Sequence, residues 1–255
     1  FPHVFDSNRQ FSKFKCGCTT MSFLPIYTPF KKAVAVATFS ATSINAQGSA
    51  SVFTFSSHNI GTASADRKVV IAASTTGGSS DATGITGITV GGVSAAKAID
   101  IFGGGSAVVH AELWYLNNVT SGTTADIIVT WNSGRFGCNI GTWAVTGGAS
   151  GVSDTATADG SGTLSTTIDC PSGGVVIAQR TCDVSQNVHN AQDFTGVDND
   201  GASAADGQRG AGGGPAYTQF GSKEFATAQD DLTVSIDPSG TINGQSMALF
   251  SIAPA

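Results

Sequence analysis

The chain is poor in charge. Only 12% of its 255 residues are Asp, Glu, Lys or Arg, whereas soluble domains average about a quarter. Disordered chains combine high charge with few apolar residues, but 40% of this chain is hydrophobic. It can therefore bury enough apolar surface to offset the entropy lost on folding, which excludes global disorder. The shortage of charge also predicts a largely neutral surface, which favours assembly with other subunits.

Long apolar runs are missing as well. A transmembrane helix needs about 18 consecutive apolar residues, and because no such run occurs, no membrane insertion is predicted. Residues 31–46 place two lysines before a short apolar segment, which weakly resembles a signal peptide but also fits a first strand. Twenty residues precede Met21. We expect a longer parent that was processed or trimmed, or a different start codon, to account for them.

Cysteine and histidine are too scattered for a metal or redox motif. Cys16 and Cys18 are separated by one residue instead of two, and no histidine lies nearby. The other cysteines lie in or beside apolar runs, where a buried free thiol is the usual state. A disulfide between Cys170 and Cys182 stays open as an alternative. The five cysteines are Cys16, Cys18, Cys138, Cys170 and Cys182, and the four histidines are His3, His58, His110 and His189.

Helical periodicity is also lacking. No window of helical length repeats apolar residues at i, i+3, i+4 and i+7, so we expect helix in fewer than about a tenth of the residues. Instead, short β-rich runs alternate with Gly, Ser, Thr and Asp clusters, a pattern typical of antiparallel sheets. The twelve runs are 33–39, 51–56, 68–73, 85–90, 95–99, 108–116, 125–131, 138–145, 163–168, 175–179, 232–236 and 246–252.

The pattern within the runs predicts which faces are buried. The odd-numbered residues of 125–131 form an apolar face, as a half-buried strand requires, and 232–236 alternate in the same way. Residues 68–73 are apolar on both sides and suit a central strand. We therefore predict an all-β fold, an antiparallel β-sandwich of jelly-roll type with about twelve strands, as a single domain over 33–255. Residues 192–214 lack strand character, and a loop of that length is often functional.

Residues 1–32 differ from the rest of the chain. They carry six Phe and three Pro without periodicity, which predicts an irregular N-terminal arm. The arm holds five basic residues and one acidic residue, a net charge of +4, whereas the remainder holds seven basic and seventeen acidic residues, a net charge of −10. An acidic body repels nucleic acid, and a basic arm can dock onto an acidic partner or a neighbouring copy. A solvated tail is the alternative.

Residue arrangements for catalysis are not found. No Gly-x-Ser-x-Gly elbow lies between a strand and a helix, and the histidines are dispersed, so no hydrolase triad is predicted. His110 and Glu112 share one face of a strand and could form a polar pair, but we expect an ordinary exposed strand face. The Gly-rich residues 210–214 lack the Lys and the helix of a phosphate-binding loop. We predict no catalytic, cofactor-binding or metal-binding residues.

Four aspartates, Asp193, Asp198, Asp200 and Asp206, cluster in the predicted long loop. Glycoside hydrolysis needs two carboxylates held in a cleft, and a Gly-rich loop cannot hold that geometry by itself. The DNDG segment at 198–201 weakly resembles a calcium loop but lacks the final Glu of a twelve-residue frame. We expect a solvated polar loop in which Ala at positions 198 and 200 leaves the role of the protein nearly unchanged.

Exposed aromatic rings would favour carbohydrate binding, because flat rings stack on the faces of sugars. We expect the available rings to serve mainly in the core, since aromatic side chains dominate β-sheet cores. Trp114 and Tyr115 are adjacent in one strand and must point to opposite faces, so one of them could be exposed. The rings are Trp114, Tyr115, Trp131, Trp143, Tyr217 and Phe220.

A series of motifs follows a characteristic order from Ser51 to Ala255. A strand is followed by Gly-Thr-Ala-x-x-x-Arg, an apolar strand, a Gly-Gly hairpin, a Trp-Tyr strand and a Gly-x-Trp-Ala-Val-Thr-Gly strand. In this order the chain resembles the modular β-sandwich virion proteins of tailed bacteriophages and prophages. The resemblance implies a virion surface component without defined catalytic residues, and the arm at 1–32 has no counterpart. The matching segments are 52–74, 85–99, 111–131, 138–148, 173–179 and 245–255.

These observations predict a non-enzymatic viral structural protein on the virion surface. It would act as a capsid decoration protein, a head fibre or a tail-fibre or tail accessory component, as a homo-oligomer that contacts other virion proteins. The arm would anchor it to a capsid or tail partner, and a host-surface glycan is a possible further ligand. The alternative is a secreted bacterial carbohydrate-binding or adhesin β-sandwich module, which a real signal peptide and an exposed aromatic platform would favour.

Overall fold

The computed structural model describes residues 34–45, 50–76, 84–103, 109–135, 137–184, 193–204, 216–237 and 242–255, and the predicted arm lies outside these ranges. The described residues form sixteen strands and no helix. The strands are β1 (Val36–Asn45), β2 (Ala50–Asn59), β3 (Lys68–Thr76), β4 (Ile85–Val90), β5 (Val93–Ser94), β6 (Ala96–Gly103), β7 (Val109–Leu116), β8 (Thr124–Arg135), β9 (Cys138–Thr146), β10 (Asp154–Gly160), β11 (Leu164–Cys170), β12 (Gly174–Val184), β13 (Asp198–Ala204), β14 (Ala216–Phe225), β15 (Gln229–Ile236) and β16 (Ile242–Ile252).

Each of the twelve predicted runs corresponds to one of these strands, so the all-β prediction is confirmed. The two-residue strand β5 pairs with β4 in the predicted Gly-Gly hairpin. Three strands were not predicted: β10, β13 and β14. β10 and β13 are rich in Gly, Ala, Ser and Asp, so their propensity alone does not predict a strand. β14 was missed although it contains Tyr217, Phe220 and Phe225. The predicted long loop is wrong at Asp198–Ala204, because these residues form β13 and pair with β14.

The strands pair antiparallel into four sheets. Sheet 1 has the order β2-β8-β4-β5, sheet 2 the order β1-β9-β3-β7-β6, sheet 3 the order β10-β16-β12-β14-β13, and sheet 4 the order β11-β15. One apolar cluster joins sheets 1 and 2, a second joins sheets 2 and 3, and a third joins sheets 3 and 4. The sandwich packing therefore extends over four layers.

The two inner sheets are buried on both faces, as the apolar run at 68–73 predicts for its strand. In β3, Val69 and Ile71 pack toward sheet 1, whereas Val70 packs toward sheet 3. In β12, Ile177 packs toward sheet 2 and Val176 toward sheet 4. Because side chains alternate along a strand, a strand covered on both sides must be apolar at consecutive positions.

Close approach of the inner sheets depends on Gly141 in β9. A Cβ atom at this position would lie 2.8 Å from the ring of Phe220 in β14, so the aromatic ring occupies the space that any other residue would need. All described residues belong to one compact unit, Lys32–Ala255. Among them no helix is long and apolar enough to cross a membrane.

Candidate functional site

A polar groove of about 320 Å³ lies at one edge of the stack, where β1 of sheet 2 contacts β13 and β14 of sheet 3. Both β1 and β13 are edge strands of their sheets, so the groove runs between two strand edges. Its side chains offer three carboxylates, one hydroxyl and one ammonium group. The lining residues are Ala37, Asp198, Asp200, Ser222, Lys223 and Glu224.

A β-bulge in β13 gives Asp200 its position in the groove. The pairing of β13 with β14 shifts between Asn199 and Gly201, and a bulge leaves its extra residue unpaired and redirects the side chain. Asp200 Oδ2 accepts hydrogen bonds from Trp143 Nε1 at 2.7 Å and from Ser222 Oγ at 2.6 Å. The bulge thus connects the edge of sheet 3 to a tryptophan in the core of sheet 2.

The environment of Asp200 raises its pKa. Burial is the main cause, because desolvation penalises the charged carboxylate, and the charge of Asp198 acts in the same direction. The hydrogen bonds from Ser222 and Trp143 oppose the shift. The ion pair of the groove joins Lys223 Nζ to Asp198 Oδ1, at 3.4 Å. Asp200 is therefore held by neutral donors.

The rim of the groove carries exposed carboxylates. Glu224 Oε1 accepts a hydrogen bond from the backbone N–H of Ala37, at 3.1 Å, and so covers one donor on the free edge of β1, where edge strands need protection. Asp198 and Glu224 are both exposed. With three carboxylates against one ammonium group, the groove suits a ligand that presents cationic or hydroxyl donors.

The predicted solvated loop is corrected by this geometry. Asn199 Oδ1 accepts hydrogen bonds from the Phe194 N–H and from Gln219 Nε2, both at 3.0 Å, whereas Asp200 bonds Trp143 in the neighbouring sheet. The DNDG side chains therefore point to different faces and cannot surround one ion. Within the described ranges, no group of three His, Cys, Asp or Glu side chains could hold a metal. Asp193 is exposed, and Asp206 lies outside the described residues.

Folding segregates charge between the interior and the surface. Among the six basic residues whose side chains are described, four are buried and two, Lys97 and Lys223, are partly exposed. Among the fourteen acidic residues described in the same way, eleven are exposed. The surface of the described body is therefore far more acidic than the composition suggests. The buried basic residues are Arg67, Lys68, Arg135 and Arg180.

A second charged site, at Glu112, is fully buried between sheets 1 and 2. Glu112 Oε1 accepts a hydrogen bond from the Ile85 N–H at 2.6 Å. Its Oε2 accepts one from Trp114 Nε1 at 3.0 Å and pairs with Lys97 Nζ at 3.0 Å. Burial raises the pKa of Glu112, and these donors oppose the shift. The carboxylate is satisfied on both oxygens and links the two sheets.

The predicted exposed face at His110 and Glu112 is wrong. Both residues do share a face of β7, but their side chains are 2% and 0% exposed. Sheet 1 covers this face, and the His110 ring packs edge-on against the Trp131 ring with centroids 5.7 Å apart. Sequence alternation identified the shared face but could not show that a further sheet lies over it.

Arg67, the last residue of the Gly-Thr-Ala-x-x-x-Arg motif, fastens two loops together. Its guanidinium donates hydrogen bonds to the carbonyl oxygens of Gly61 at 2.7 Å, Val119 at 2.8 Å and Ser121 at 2.8 Å. Gly61 has φ +81°, a conformation that favours glycine. No sequence signal identifies the partners of Arg67, because they are backbone carbonyls and two of them lie more than 50 residues away.

The second Gly of the Gly-x-Trp-Ala-Val-Thr-Gly motif is also structural. Gly147 has φ +67°, and its N–H donates to Asp66 Oδ2 at 2.7 Å. With Gly141 against Phe220 and Trp143 bonded to Asp200, all three named residues of this motif hold sheets or turns in place. The named residues of this motif therefore build the fold.

The described cysteines are free buried thiols, so the possible Cys170–Cys182 disulfide does not form. Cys170 packs between sheets 3 and 4, whereas Cys182 lies in a separate small cluster. Burial raises the pKa of Cys138 to about 12 and that of Cys170 to about 11. The raised pKa values favour the neutral thiol form of both side chains near neutral pH. Cys16 and Cys18 lie outside the described residues.

The six aromatic rings considered for sugar stacking serve the core, as predicted. Five are buried, and Tyr115 is half-buried with Lys68 Nζ 5.0 Å from the centroid of its ring. Of the adjacent pair, Trp114 packs toward sheet 1 and Tyr115 toward sheet 3. A flat aromatic platform for a sugar is therefore not built from these rings. The five buried rings are Trp114, Trp131, Trp143, Tyr217 and Phe220.

Comparison of the chain with protein-family models, with curated proteins and with solved structures finds no match.

Proposed function

We propose that the protein is a non-enzymatic structural component on the surface of a tailed-phage virion. It acts by assembling with copies of itself and with capsid or tail proteins. The observation that carries the proposal is the separation of charge. Residues 1–32 carry a net charge of +4, whereas the described body exposes eleven acidic side chains and buries four of its six basic ones. Opposite charges on two parts of one chain favour head-to-tail assembly.

The role of the motif residues supports a scaffold. Arg67, Gly141, Trp143 and Gly147 carry the resemblance to virion proteins, and each holds a loop, a turn or a pair of sheets in place. Catalytic motifs behave differently, because they bring reactive groups together in a pocket. Motif residues with structural roles are what we expect of a surface module that acts by assembly.

A secreted carbohydrate-binding or adhesin module is the second candidate, and the groove beside Asp200 favours it. Its carboxylates and the Ser222 hydroxyl can bond sugar hydroxyls. A glycan array probed with the purified chain separates the two functions. Specific glycan binding that Ser222→Ala abolishes supports the second candidate. It leaves the virion proposal standing only if the protein is also found on particles.

Electron microscopy with a gold-labelled antibody tests the virion proposal. The particles are those of the phage or prophage whose genome encodes the chain, purified by density gradient. We expect gold on the outer surface of the head or the tail at regular positions. Gold confined to host debris, with bare particles, would contradict the proposal.

A further inference from the structure

We propose that the groove beside Asp200 is the docking site for the basic N-terminal arm, residues 1–32, of a second copy of the chain. The inference deepens the proposed function and rests on it, because it names the contact by which the copies assemble. It follows from three features of the described residues: two strand edges, an acidic lining, and a first described residue, Val34, that is close in sequence to the groove.

The groove lies where sheets 2 and 3 both end. Among the described strands, β1 and β13 each have a neighbour on one side only. Edge strands of this kind take additional chain segments unless they are protected. On β1, Glu224 already occupies the N–H of Ala37. A segment that enters the groove therefore meets carboxylates as well as strand edges.

The lining complements the charge of the arm. Asp198 and Glu224 are exposed at the rim, and Asp200 lies deeper, held by Trp143 and Ser222. Lys223 is the single cation among the lining residues, and it is paired with Asp198 at 3.4 Å. Lys and Arg side chains are the natural partners of such carboxylates. The arm supplies them at Arg9, Lys13, Lys15, Lys31 and Lys32.

The described part of the body begins close in sequence to a residue of the groove. The first described residue, Val34, is three positions from Ala37 and is 44% exposed. A segment of 32 residues can span at most on the order of 100 Å, whereas a domain of this size has a radius of gyration of about 17 Å. The arm is thus long enough to reach a neighbour. If two copies place their β1 edges near a two-fold axis, each arm can enter the other copy's groove.

Charge reversal in the full-length chain tests the inference, with self-association measured by sedimentation velocity. The groove variant carries Asp198→Lys and Glu224→Lys, which leave Asp200 and its bonds intact. Two arm variants carry Lys13→Glu with Lys15→Glu, or Lys31→Glu with Lys32→Glu. The control carries Asp159→Lys and Asp230→Lys, the same charge change on exposed residues of β10 and β15. D198N/E224Q supplies a milder groove variant, and circular dichroism confirms folding of each.

We expect the groove variant to weaken self-association by roughly tenfold or more, since like charges then face each other. The control should change it little. Each arm variant is combined in turn with the groove variant. The arm variant whose altered residues contact the groove should restore the oligomer. Raising the salt to about 1 M, where the Debye length is about 3 Å, should weaken the parent oligomer.

Three results would overturn the inference: a chain that stays monomeric, a groove variant no weaker than the control, or failure of both arm variants to restore association. Each of these leaves the virion proposal intact if the protein is present on particles. Conversely, the protein could be absent from particles while the charge variants still change its self-association. That result would contradict the virion function and support the docking site.

Discussion

The indole N–H of Trp143 donates a hydrogen bond to Asp200 across two sheets, with 2.7 Å between Nε1 and Oδ2. Trp143 is fully buried in β9 of sheet 2, and Asp200 is the bulge residue of β13 at the edge of sheet 3. The bond ties an edge strand of low strand propensity to the core of the neighbouring layer. It also gives Asp200 a structural role inside the groove, whereas Asp198 and Glu224 are exposed at the rim.

Replacement of Asp200 by Ala should therefore destabilise the fold. The change leaves the buried Trp143 N–H without its acceptor, which costs about 1–3 kcal/mol in the free energy of unfolding. Asp198→Ala is the control, because Asp198 is exposed and its loss should cost about 0.5 kcal/mol or less. Urea denaturation of both variants measures the difference. If both variants lose an equally small amount of unfolding free energy, the hydrogen bond from Trp143 does not stabilise the fold. The prediction of a solvated loop requires that result.

Gly84 should tolerate no side chain. A Cβ atom there would lie 2.0 Å from Glu112 Oε1, and because that carboxylate is fixed by its three donors, Gly84→Ala should cost about 1–3 kcal/mol. Gly87 in β4 is the matched control, since a Cβ atom there meets nothing within 4 Å. Gly87→Ala should leave stability unchanged or raise it by about 0.4–1 kcal/mol. Thermal denaturation ranks the two, and the reverse order would contradict the packing around Glu112.

Arg67→Lys should lower the free energy of unfolding by about 3 kcal/mol or more. A lysine keeps the charge, but one ammonium group cannot reproduce the fork that reaches three carbonyl oxygens. Lys223→Arg is the control, because Lys223 is partly exposed and pairs with a single carboxylate. Denaturation with guanidinium chloride compares the two variants. Similar small losses in both would show that the loops around Gly61 and Val119 hold without Arg67.

Stability should fall in mild acid because of His58. Its ring lies 3.0 Å from Ser43 Oγ and 3.1 Å from Thr142 Oγ1, and burial lowers its pKa from 6.5 to about 4. The unfolded chain therefore takes up the proton first, so stability present above pH 6.5 is lost as the pH falls toward 4, by up to about 3 kcal/mol. The variant His58→Gln should lack this fall. The free energy of unfolding is measured against pH for both chains. Parallel curves for parent and variant would show that His58 does not cause the loss of stability in acid.

Local patterns in the sequence were sufficient to predict the strands with strong alternation. The apolar face of 125–131 packs between sheets 1 and 2, and that of 232–236 packs between sheets 3 and 4, as their alternation indicates. Strands β10 and β13 were missed because Gly, Ala and Asp give little local signal. Pairing with neighbouring strands makes them strands, and that pairing is a property of the whole fold.

The candidate site could be predicted only in part. The DNDG segment drew attention to Asp198 and Asp200, but the sequence could not show the bulge that turns Asp200 toward Trp143. Glu224 gave no signal, because its partner is the backbone of Ala37, 187 positions away. The burial of four basic residues was equally hidden, since their partners include backbone carbonyls and aromatic rings that no motif records.

Quantitative mass spectrometry of purified virions tests the central claim most directly. The proposal places the gene in a tailed phage or prophage, and the particles are those that this phage or prophage forms. Labelled peptides from the described strands give the copy number against the major capsid protein. Our account predicts a fixed, symmetric copy number, with hundreds of copies for capsid decoration or a few for a fibre or tail part. Absence from gradient-purified particles, or a copy number that falls with each purification step, would contradict it.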